Sequence, residues 1–122
     1  MSHHAATTRR DLRHKLRRGI AFVEFEIDDS SNGPLRGDLT SVSVAGLTFE
    51  VDTDADMEKG TLVQAATVLI GECAVEGDLA VRYNRRMSES TTEIGCVFYP
   101  SSHAGAEKWS AVIAGMQAVC ND

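Results

Sequence analysis

Residues 20–27 read Ile-Ala-Phe-Val-Glu-Phe-Glu-Ile. Apolar side chains occupy every odd-numbered position of this stretch, and Glu24 and Glu26 lie between them. A repeat of two residues predicts a β-strand with one face turned toward a core. The odd-numbered positions therefore mark the buried side of the first strand.

Five further extended segments, rich in apolar or β-branched residues, follow at 36–44, 47–51, 62–70, 79–83 and 94–98. Turn-rich or polar stretches separate them, including a polar stretch at 84–92, and this spacing is typical of a barrel or a sandwich. Beyond Pro100 apolar residues recur at helical spacing, at Trp109, Val112, Ile113, Met116 and Cys120. The sequence therefore predicts a mostly β fold of six strands with one amphipathic C-terminal α-helix.

The chain has 122 residues, of which 43% are hydrophobic and 25% are charged. This length and composition suit a single globular domain. We expect a flexible basic N-terminal arm at 1–12 and one domain at 13–122. The longest mostly apolar stretch, 62–71, is far shorter than the roughly 20 residues that cross a bilayer, and no secretory signal is visible. We therefore expect a cytoplasmic protein without membrane insertion.

The three cysteines, Cys73, Cys96 and Cys120, form an odd set without a Cys-x-x-Cys pair. This argues against a disulfide framework and against a zinc site, so we expect free thiols and no bound metal. Catalysis would need Cys96 or a serine together with His14 or His103. Cys96 lies in an apolar strand, and neither histidine has a recognisable catalytic spacing. We therefore predict that the protein is not an enzyme.

Charge is distributed unevenly along the chain. The net charge is -6, but residues 9–18 contain six basic residues and one acidic residue, a net of +5 that leaves -11 on the remainder. A nucleic-acid polymer is usually bound by a broad basic face, and an acidic body would repel it. A compact ligand with one or two phosphates needs only a local arginine cluster. The pattern favours such a ligand, although a basic run is equally compatible with a solvated segment without function.

Two short motifs lie at the ends of the predicted strands. Arg13-His-Lys-Leu-Arg17 directly precedes the first strand, and Ser41-Val-Ser43-Val-Ala-Gly46 lies where the second strand turns into the third. Together they resemble the signature of the PilZ domain, which has Arg-x-x-x-Arg before the first strand and Asp/Asn-x-Ser-x-x-Gly at the end of the second. The resemblance extends from Arg13 to Val119 and includes Gly95-Cys-Val-Phe98 in the closing strand.

The resemblance implies a six-stranded antiparallel PilZ-like β-barrel that binds the bacterial second messenger cyclic di-GMP, with no cofactor and no catalytic step. The residues that it assigns to ligand binding are Arg13, Arg17, Ser41, Ser43 and Gly46. The arginines would pair with phosphate oxygens and stack on guanine faces, and the Ser43 hydroxyl would hydrogen-bond the ligand. Gly46 would allow positive φ or a close backbone approach. Further candidate contacts are Arg9, Arg10 and Arg18.

The sequence departs from the family pattern at Ser41, where Asp or Asn is usual. A charge-assisted hydrogen bond contributes about 1.5 to 3 kcal/mol and a neutral one about 0.5 to 1.5 kcal/mol, so binding is expected to be roughly 5- to 30-fold weaker. In the family a further arginine at the position of Leu12 accompanies capture of a stacked ligand dimer, so Leu12 favours one ligand per chain. A second basic group is interpreted as a solvated loop and only secondarily as a site; it comprises Arg82, Arg85 and Arg86.

These inferences predict a receptor for cyclic di-GMP. Binding would change the conformation of the basic arm and thereby regulate an unidentified protein partner in trans, in the control of motility, exopolysaccharide production or virulence. The alternative is a degenerate PilZ-like adaptor that binds no nucleotide and acts through protein–protein interaction, for which Ser41 is the main indication. A nucleic-acid-binding arm is a third class, which predicts affinity for long polyanions that falls steeply with salt.

Overall fold

The computed structural model of the chain describes residues 13–27, 34–52 and 57–120, with side chains as far as residue 116. These residues form seven strands and one helix: β1 (His14–Lys15), β2 (Ala21–Phe25), β3 (Leu35–Val42), β4 (Gly46–Asp52), β5 (Leu62–Ile70), β6 (Cys73–Arg86), β7 (Thr91–Pro100) and α1 (His103–Cys120). The six predicted strands and the C-terminal helix are confirmed. The two-residue strand β1 is additional to the prediction.

Six of the strands close into an antiparallel barrel. Their order around the barrel is β3, β2, β5, β6, β7 and β4, and pairing between β3 and β4 completes the circle. This closure decides between the barrel and the sandwich that the strand spacing leaves open, because a sandwich has two separate sheets with edges. Strand β1 lies outside the ring and pairs with β3.

The barrel interior is filled by the predicted core side chains. On β2 the odd-numbered residues Ala21, Val23 and Phe25 are buried, as their repeat of two predicts. The Phe25 ring packs on Phe49 of β4, with 5.4 Å between the ring centroids. Gly37 on β3 makes room for Phe49, because a Cβ at this position would overlap the Phe49 ring. Burial of these side chains is the main favourable contribution to folding of the barrel.

Helix α1 packs against β6 and β7. Its side chains Trp109 and Ile113 are buried, and the Trp109 ring meets Phe98 of β7 edge-on, with 4.8 Å between centroids. The indole Nε1 of Trp109 donates a hydrogen bond to the carbonyl oxygen of Val44 at 3.2 Å. The helix thereby holds the turn between β3 and β4, which carries the second motif. Across the described residues, no helix has the length and apolar character to cross a membrane.

The β6–β7 hairpin is longer than predicted. The polar stretch 84–92 is expected to separate two strands, but β6 continues to Arg86 and β7 begins at Thr91. Arg85 on β6 pairs with Glu93 on β7, with 2.9 Å between Nη2 and Oε1. Polar composition conceals the strand ends here, because charged side chains rather than apolar ones make this cross-strand contact.

Candidate ligand-binding site

Strand β1 brings the two motifs together. In its ladder with β3, His14 pairs with Val42 and Lys15 pairs with Ser41. His14 is buried, whereas Arg13 and Lys15 on either side of it are exposed. The first arginine of the Arg-x-x-x-Arg motif therefore lies next to the end of β3, where the second motif begins.

The turn between β3 and β4 is held by Ser43 and Gly46. The backbone N–H of Ser43 donates to the carbonyl oxygen of Gly46 at 2.8 Å, and the N–H of Gly46 donates to Ser43 Oγ at 3.2 Å. Ser43 is only 2% exposed. Its hydroxyl therefore stabilises the turn in this structure, and a ligand contact through that hydroxyl stays a prediction.

Gly46 is needed where β4 approaches β7. A Cβ at this position would overlap the carbonyl oxygen of Cys96. Positive φ values among the described glycines occur instead at Gly19, Gly60 and Gly71. Of the two roles predicted for Gly46, the structure therefore shows the close backbone approach.

Ser41 lies in a short chain of hydroxyl groups on β3 and β4. Its Oγ is 2.6 Å from Thr48 Oγ1, and Thr48 Oγ1 is 2.8 Å from Thr40 Oγ1. Each of these hydroxyls can donate or accept a hydrogen bond. Ser41 is half-buried and already has a partner, so a ligand has to share or replace its contact with Thr48.

An open cleft of about 290 Å³ lies beside this turn, and we call it the Arg13 cleft. It is lined by Arg13, Ala45, Gly46, Arg82, Tyr83, Gly95, Cys96 and Val97. Arg13 and Arg82 form no hydrogen bond or ion pair with other described residues. Two unpaired guanidinium groups can each offer a planar pair of donors to a phosphate. The cleft therefore has the charge and the donor groups for a phosphate-bearing ligand.

A β-bulge places Arg82 in the cleft. Val81 pairs with Cys96 and Tyr83 pairs with Gly95, so Arg82 is the extra residue on β6. A bulge of this kind changes the direction of a side chain relative to the regular alternation of the strand. The sequence shows Arg82 as one of three arginines but carries no signal for the bulge, which depends on the register with β7.

The other two members of the second basic group have structural partners. Arg85 pairs with Glu93, and Arg86 donates to the carbonyl oxygens of Ser88 and Glu89, each at 3.2 Å. Arg85 and Arg86 lie on β6, so their interpretation as a loop is wrong, whereas Arg82 lies within the strand predicted at 79–83. The polar composition of this segment conceals a strand, as it does for the hairpin as a whole.

Tyr83 supplies an aromatic surface in the Arg13 cleft. Its ring covers Gly95, where a Cβ would overlap the ring, and its hydroxyl donates to Glu93 Oε1 at 3.2 Å. Burial and the neighbouring Glu93 carboxylate raise the pKa of the Tyr83 phenol more than the positive charge of Arg13 lowers it. A neutral, partly exposed ring beside two guanidinium groups is a surface on which a nucleobase can stack.

Arg17 and Arg18 line other surfaces. Arg17 borders a groove of about 490 Å³ beside α1. Arg18 borders a cleft of about 280 Å³ and forms an ion pair there, with 2.6 Å between its Nη2 and Glu50 Oε1. Of the predicted ligand arginines, Arg13 therefore lines the cleft at the turn, whereas Arg17 and Arg18 line other surfaces. Arg9 and Arg10, with the predicted arm at 1–12, lie outside the described residues.

Among the described residues, no hydrogen bond or ion pair joins Cys96 to His14 or His103, the side chains considered for catalysis. Cys73 and Cys96 are free thiols, and burial raises the pKa of Cys96 to about 12, so its thiol stays protonated at neutral pH. His103 contacts Glu107 on its own helix at 2.8 Å. Over residues 13–27, 34–52 and 57–120, no group of three His, Cys, Asp or Glu side chains is arranged to hold a metal ion.

No protein-family model matches the sequence, and no curated protein sequence matches it. Solved structures share its architecture. The PilZ domain of YcgR from Escherichia coli, in complex with c-di-GMP, has a TM-score of 0.70 at 15% identity, covering 89% of this chain and 91% of that one. The chain has the PilZ fold. The PilZ-like barrel implied by the two motifs is therefore confirmed at the level of the fold.

Two longer chains contain a similar PilZ fold. The MrkH–c-di-GMP complex of K. pneumonia has a TM-score of 0.76 at 15% identity, covering 89% of this chain and 51% of that one. YcgR from Escherichia coli in complex with c-di-GMP has a TM-score of 0.71 at 16% identity, covering 90% of this chain and 46% of that one. This chain therefore spans about half the length of MrkH and YcgR.

Proposed function

We propose that this PilZ-fold chain is a receptor for cyclic di-GMP. The ladder between β1 and β3 carries the proposal, because it puts Arg13 beside the Ser43–Gly46 turn. Arg82 and Tyr83 complete a cleft with an aromatic ring and two guanidinium groups that have no partner among the described residues. The similar structures of MrkH and YcgR contain this ligand, which further supports the assignment.

Each lining group has a role in this proposal. Arg13 and Arg82 pair with phosphate oxygens, and the Tyr83 ring stacks on one guanine. Gly46 keeps the backbone of the turn accessible, because no side chain stands in front of it. Arg17 moves from its groove to close over the bound nucleotide.

Three more arginines are further candidate contacts. Arg18 would have to leave Glu50 before it could reach a ligand in the Arg13 cleft. Arg9 and Arg10 would reach the ligand from the N-terminal arm. Ordering of this arm on the bound nucleotide is the proposed signal to a protein partner in trans, in motility, exopolysaccharide or virulence control. Hydrogen exchange of residues 9–18 tests this step, and equal protection with and without cyclic di-GMP would contradict it.

A second candidate function is that of an adaptor that binds no nucleotide. It is favoured by the hydroxyl groups of the second motif, since Ser41 contacts Thr48 and Ser43 contacts Gly46. In such an adaptor these contacts would serve only to stabilise the barrel, and the chain would act through a protein partner. The two functions differ in whether the Arg13 cleft is ever occupied.

Titration calorimetry with cyclic di-GMP separates the two functions. The receptor predicts saturable heat at one ligand per chain, abolished in an Arg13→Ala, Arg17→Ala double variant. Arg86→Ala is the matched control, because Arg86 bonds the carbonyl groups of its own hairpin and should leave binding unchanged. Absence of heat and of any thermal shift at high ligand concentration would reject the receptor and favour the adaptor.

A further inference from the structure

A second surface lies between the segment that follows β1 and the side of α1 that faces it; we call it the helix groove. Its volume is about 490 Å³, and it is lined by Lys15, Leu16, Arg17, Ile20, Ile70, Val112, Gly115 and Met116. Five of these eight residues are apolar and aliphatic or sulfur-containing. Ile20 in this lining is 51% exposed. Apolar side chains that line one groove offer a surface on which a partner can dock.

The fully buried side chains of α1 are not among those that line the groove, although Leu16, Ile70 and Met116 pack partly against the core. Trp109 and Ile113 are the buried anchors of the helix, whereas Val112 and Met116 lie one turn apart and are only half-buried. A Cβ at Gly115 would meet no atom of the described residues within 4 Å. The helix therefore leaves open space at Gly115, with the apolar side chains of Val112 and Met116 beside it.

The charges around the groove are of one sign. Its two charged lining residues, Lys15 and Arg17, are both basic, although the chain as a whole carries a net charge of -6. Neither forms an ion pair with other described residues. Two cations beside apolar side chains complement a segment that combines apolar and acidic side chains.

We propose that the helix groove binds an acidic amphipathic helix of a protein partner. Such a helix places apolar residues at i, i+3 and i+4 into the groove and acidic residues toward Lys15 and Arg17. A second copy in a symmetric dimer would set the same two cations against themselves. Residues 1–12 are a poor occupant as well, because they carry Arg9 and Arg10 against a single acid.

Arg17 links this surface to cyclic di-GMP, and this step rests on the proposed function. Arg17 lines the helix groove and is also the second arginine of the Arg-x-x-x-Arg motif. A nucleotide that recruits Arg17 removes one cation from the groove. Saturating cyclic di-GMP should therefore weaken an acidic partner about two- to fivefold, the value of one exposed charge pair.

The test is a selection of helical peptides from a displayed library on the full-length protein, followed by fluorescence anisotropy of the enriched peptides. The enriched peptides are expected to be acidic, with apolar residues at i, i+3 and i+4. Gly115→Glu and Gly115→Lys form a matched pair, because both side chains enter open space and have similar helix propensity. Gly115→Glu should weaken the selected peptides about tenfold or more, and Gly115→Lys should retain or strengthen their binding.

Several results would overturn the proposal. Enrichment of basic or neutral peptides, no enrichment at all, or equal losses in the two Gly115 variants would each exclude an acidic partner in the groove. A dimer in light scattering that Gly115→Glu dissociates would assign the surface to a second copy. Displacement of the selected peptides by a synthetic peptide of residues 1–12 would assign it to the N-terminal arm.

The link to the nucleotide is tested separately. Unchanged peptide affinity at saturating cyclic di-GMP, with the nucleotide bound in calorimetry, would overturn the coupling through Arg17. The Arg17→Ala variant should bind the peptide more weakly and lose its response to the nucleotide. Absence of nucleotide binding in calorimetry would instead reject the proposed function. The peptide results would still show whether the helix groove binds an acidic helix.

Discussion

Two clefts at opposite ends of β4 differ in whether their arginines contact other protein side chains. The Arg13 cleft, at the start of the strand, measures about 290 Å³ and contains Arg13 and Arg82. The second cleft, which we call the Arg18 cleft, lies at the end of the strand, measures about 280 Å³ and contains Arg18 and Arg36. The two are nearly equal in size and in number of arginines. They differ in what surrounds the guanidinium groups.

Both arginines of the Arg18 cleft have protein partners. Arg18 lies 2.6 Å from Glu50 Oε1, in an ion pair that lacks the geometry of a hydrogen bond. Arg36 lies over the Phe22 ring at 3.8 Å and within 3.9 Å of a Glu24 oxygen. In the Arg13 cleft the two guanidinium groups have no such partners among the described residues. An arginine pair thus predicts an anion site only where acidic neighbours do not neutralise it.

The largest expected effect on this contrast comes from replacing both arginines of one cleft with alanine. Arg13→Ala, Arg82→Ala should lower the affinity for cyclic di-GMP by on the order of 100-fold or more, because each charged hydrogen bond contributes about 1.5 to 3 kcal/mol. Arg18→Ala, Arg36→Ala is the comparison variant and should lower the affinity by no more than about tenfold, because Arg18 is only a further candidate contact that has to leave Glu50 first. Calorimetry on both double variants measures this, and equal losses would show that the contrast between the clefts has no functional meaning.

The glycines that line the two clefts give a second test. Gly46→Ala should destabilise the fold by about 1 to 3 kcal/mol, since the added methyl group overlaps the Cys96 carbonyl oxygen on β7. Gly37→Ala in the Arg18 cleft should also destabilise, because its methyl group overlaps the Phe49 ring. Urea unfolding measures both effects. Only Gly46→Ala should lose cyclic di-GMP binding under conditions where both variants remain folded, and retained binding would remove Gly46 from the site.

Placing the usual family residue at position 41 should increase the affinity of the Arg13 cleft for cyclic di-GMP. Ser41→Asp should tighten cyclic di-GMP binding about 5- to 30-fold, because a carboxylate makes charge-assisted hydrogen bonds where the hydroxyl makes neutral ones. Ser41→Asn should give a smaller gain. Calorimetry at constant salt provides the comparison. Unchanged or weaker binding in the Asp variant would show that the hydroxyl contact with Thr48 matters more than the charge.

Alkaline pH should destabilise the fold through Cys96, a buried residue that borders the Arg13 cleft. Burial raises the pKa of the Cys96 thiol from 9.0 to about 12, so the unfolded chain loses its proton at a lower pH than the folded chain. The stabilisation is complete below pH 9 and falls as pH rises toward 12, by up to about 1.4 kcal/mol per pH unit. Urea unfolding between pH 8 and 10.5 should show this slope. Cys96→Ala should flatten it, and an equal slope in that variant would assign the effect to other groups.

The local signals in the sequence differ in what they can predict. The repeat of two at 20–27 and the helical spacing after Pro100 are local patterns, and both elements are present where they are predicted. The polar end of the β6–β7 hairpin has no apolar repeat, so the strand ends and the location of Arg85 and Arg86 on β6 are missed, as is the bulge at Arg82 within the predicted strand 79–83. Local composition identifies strands where one face is apolar and fails where polar side chains make the cross-strand contacts.

The sequence by itself determined the strands, the helix and the two motifs that resemble the PilZ signature, because these depend on residues close together in the chain. Only the tertiary structure decided that Arg13 meets Arg82 and Tyr83 in one cleft, while Arg17 borders a groove and Arg18 pairs with Glu50. These placements depend on the β1–β3 ladder and on the bulge opposite β7. Register between distant strands is a property of the whole barrel, and no short stretch of sequence contains it.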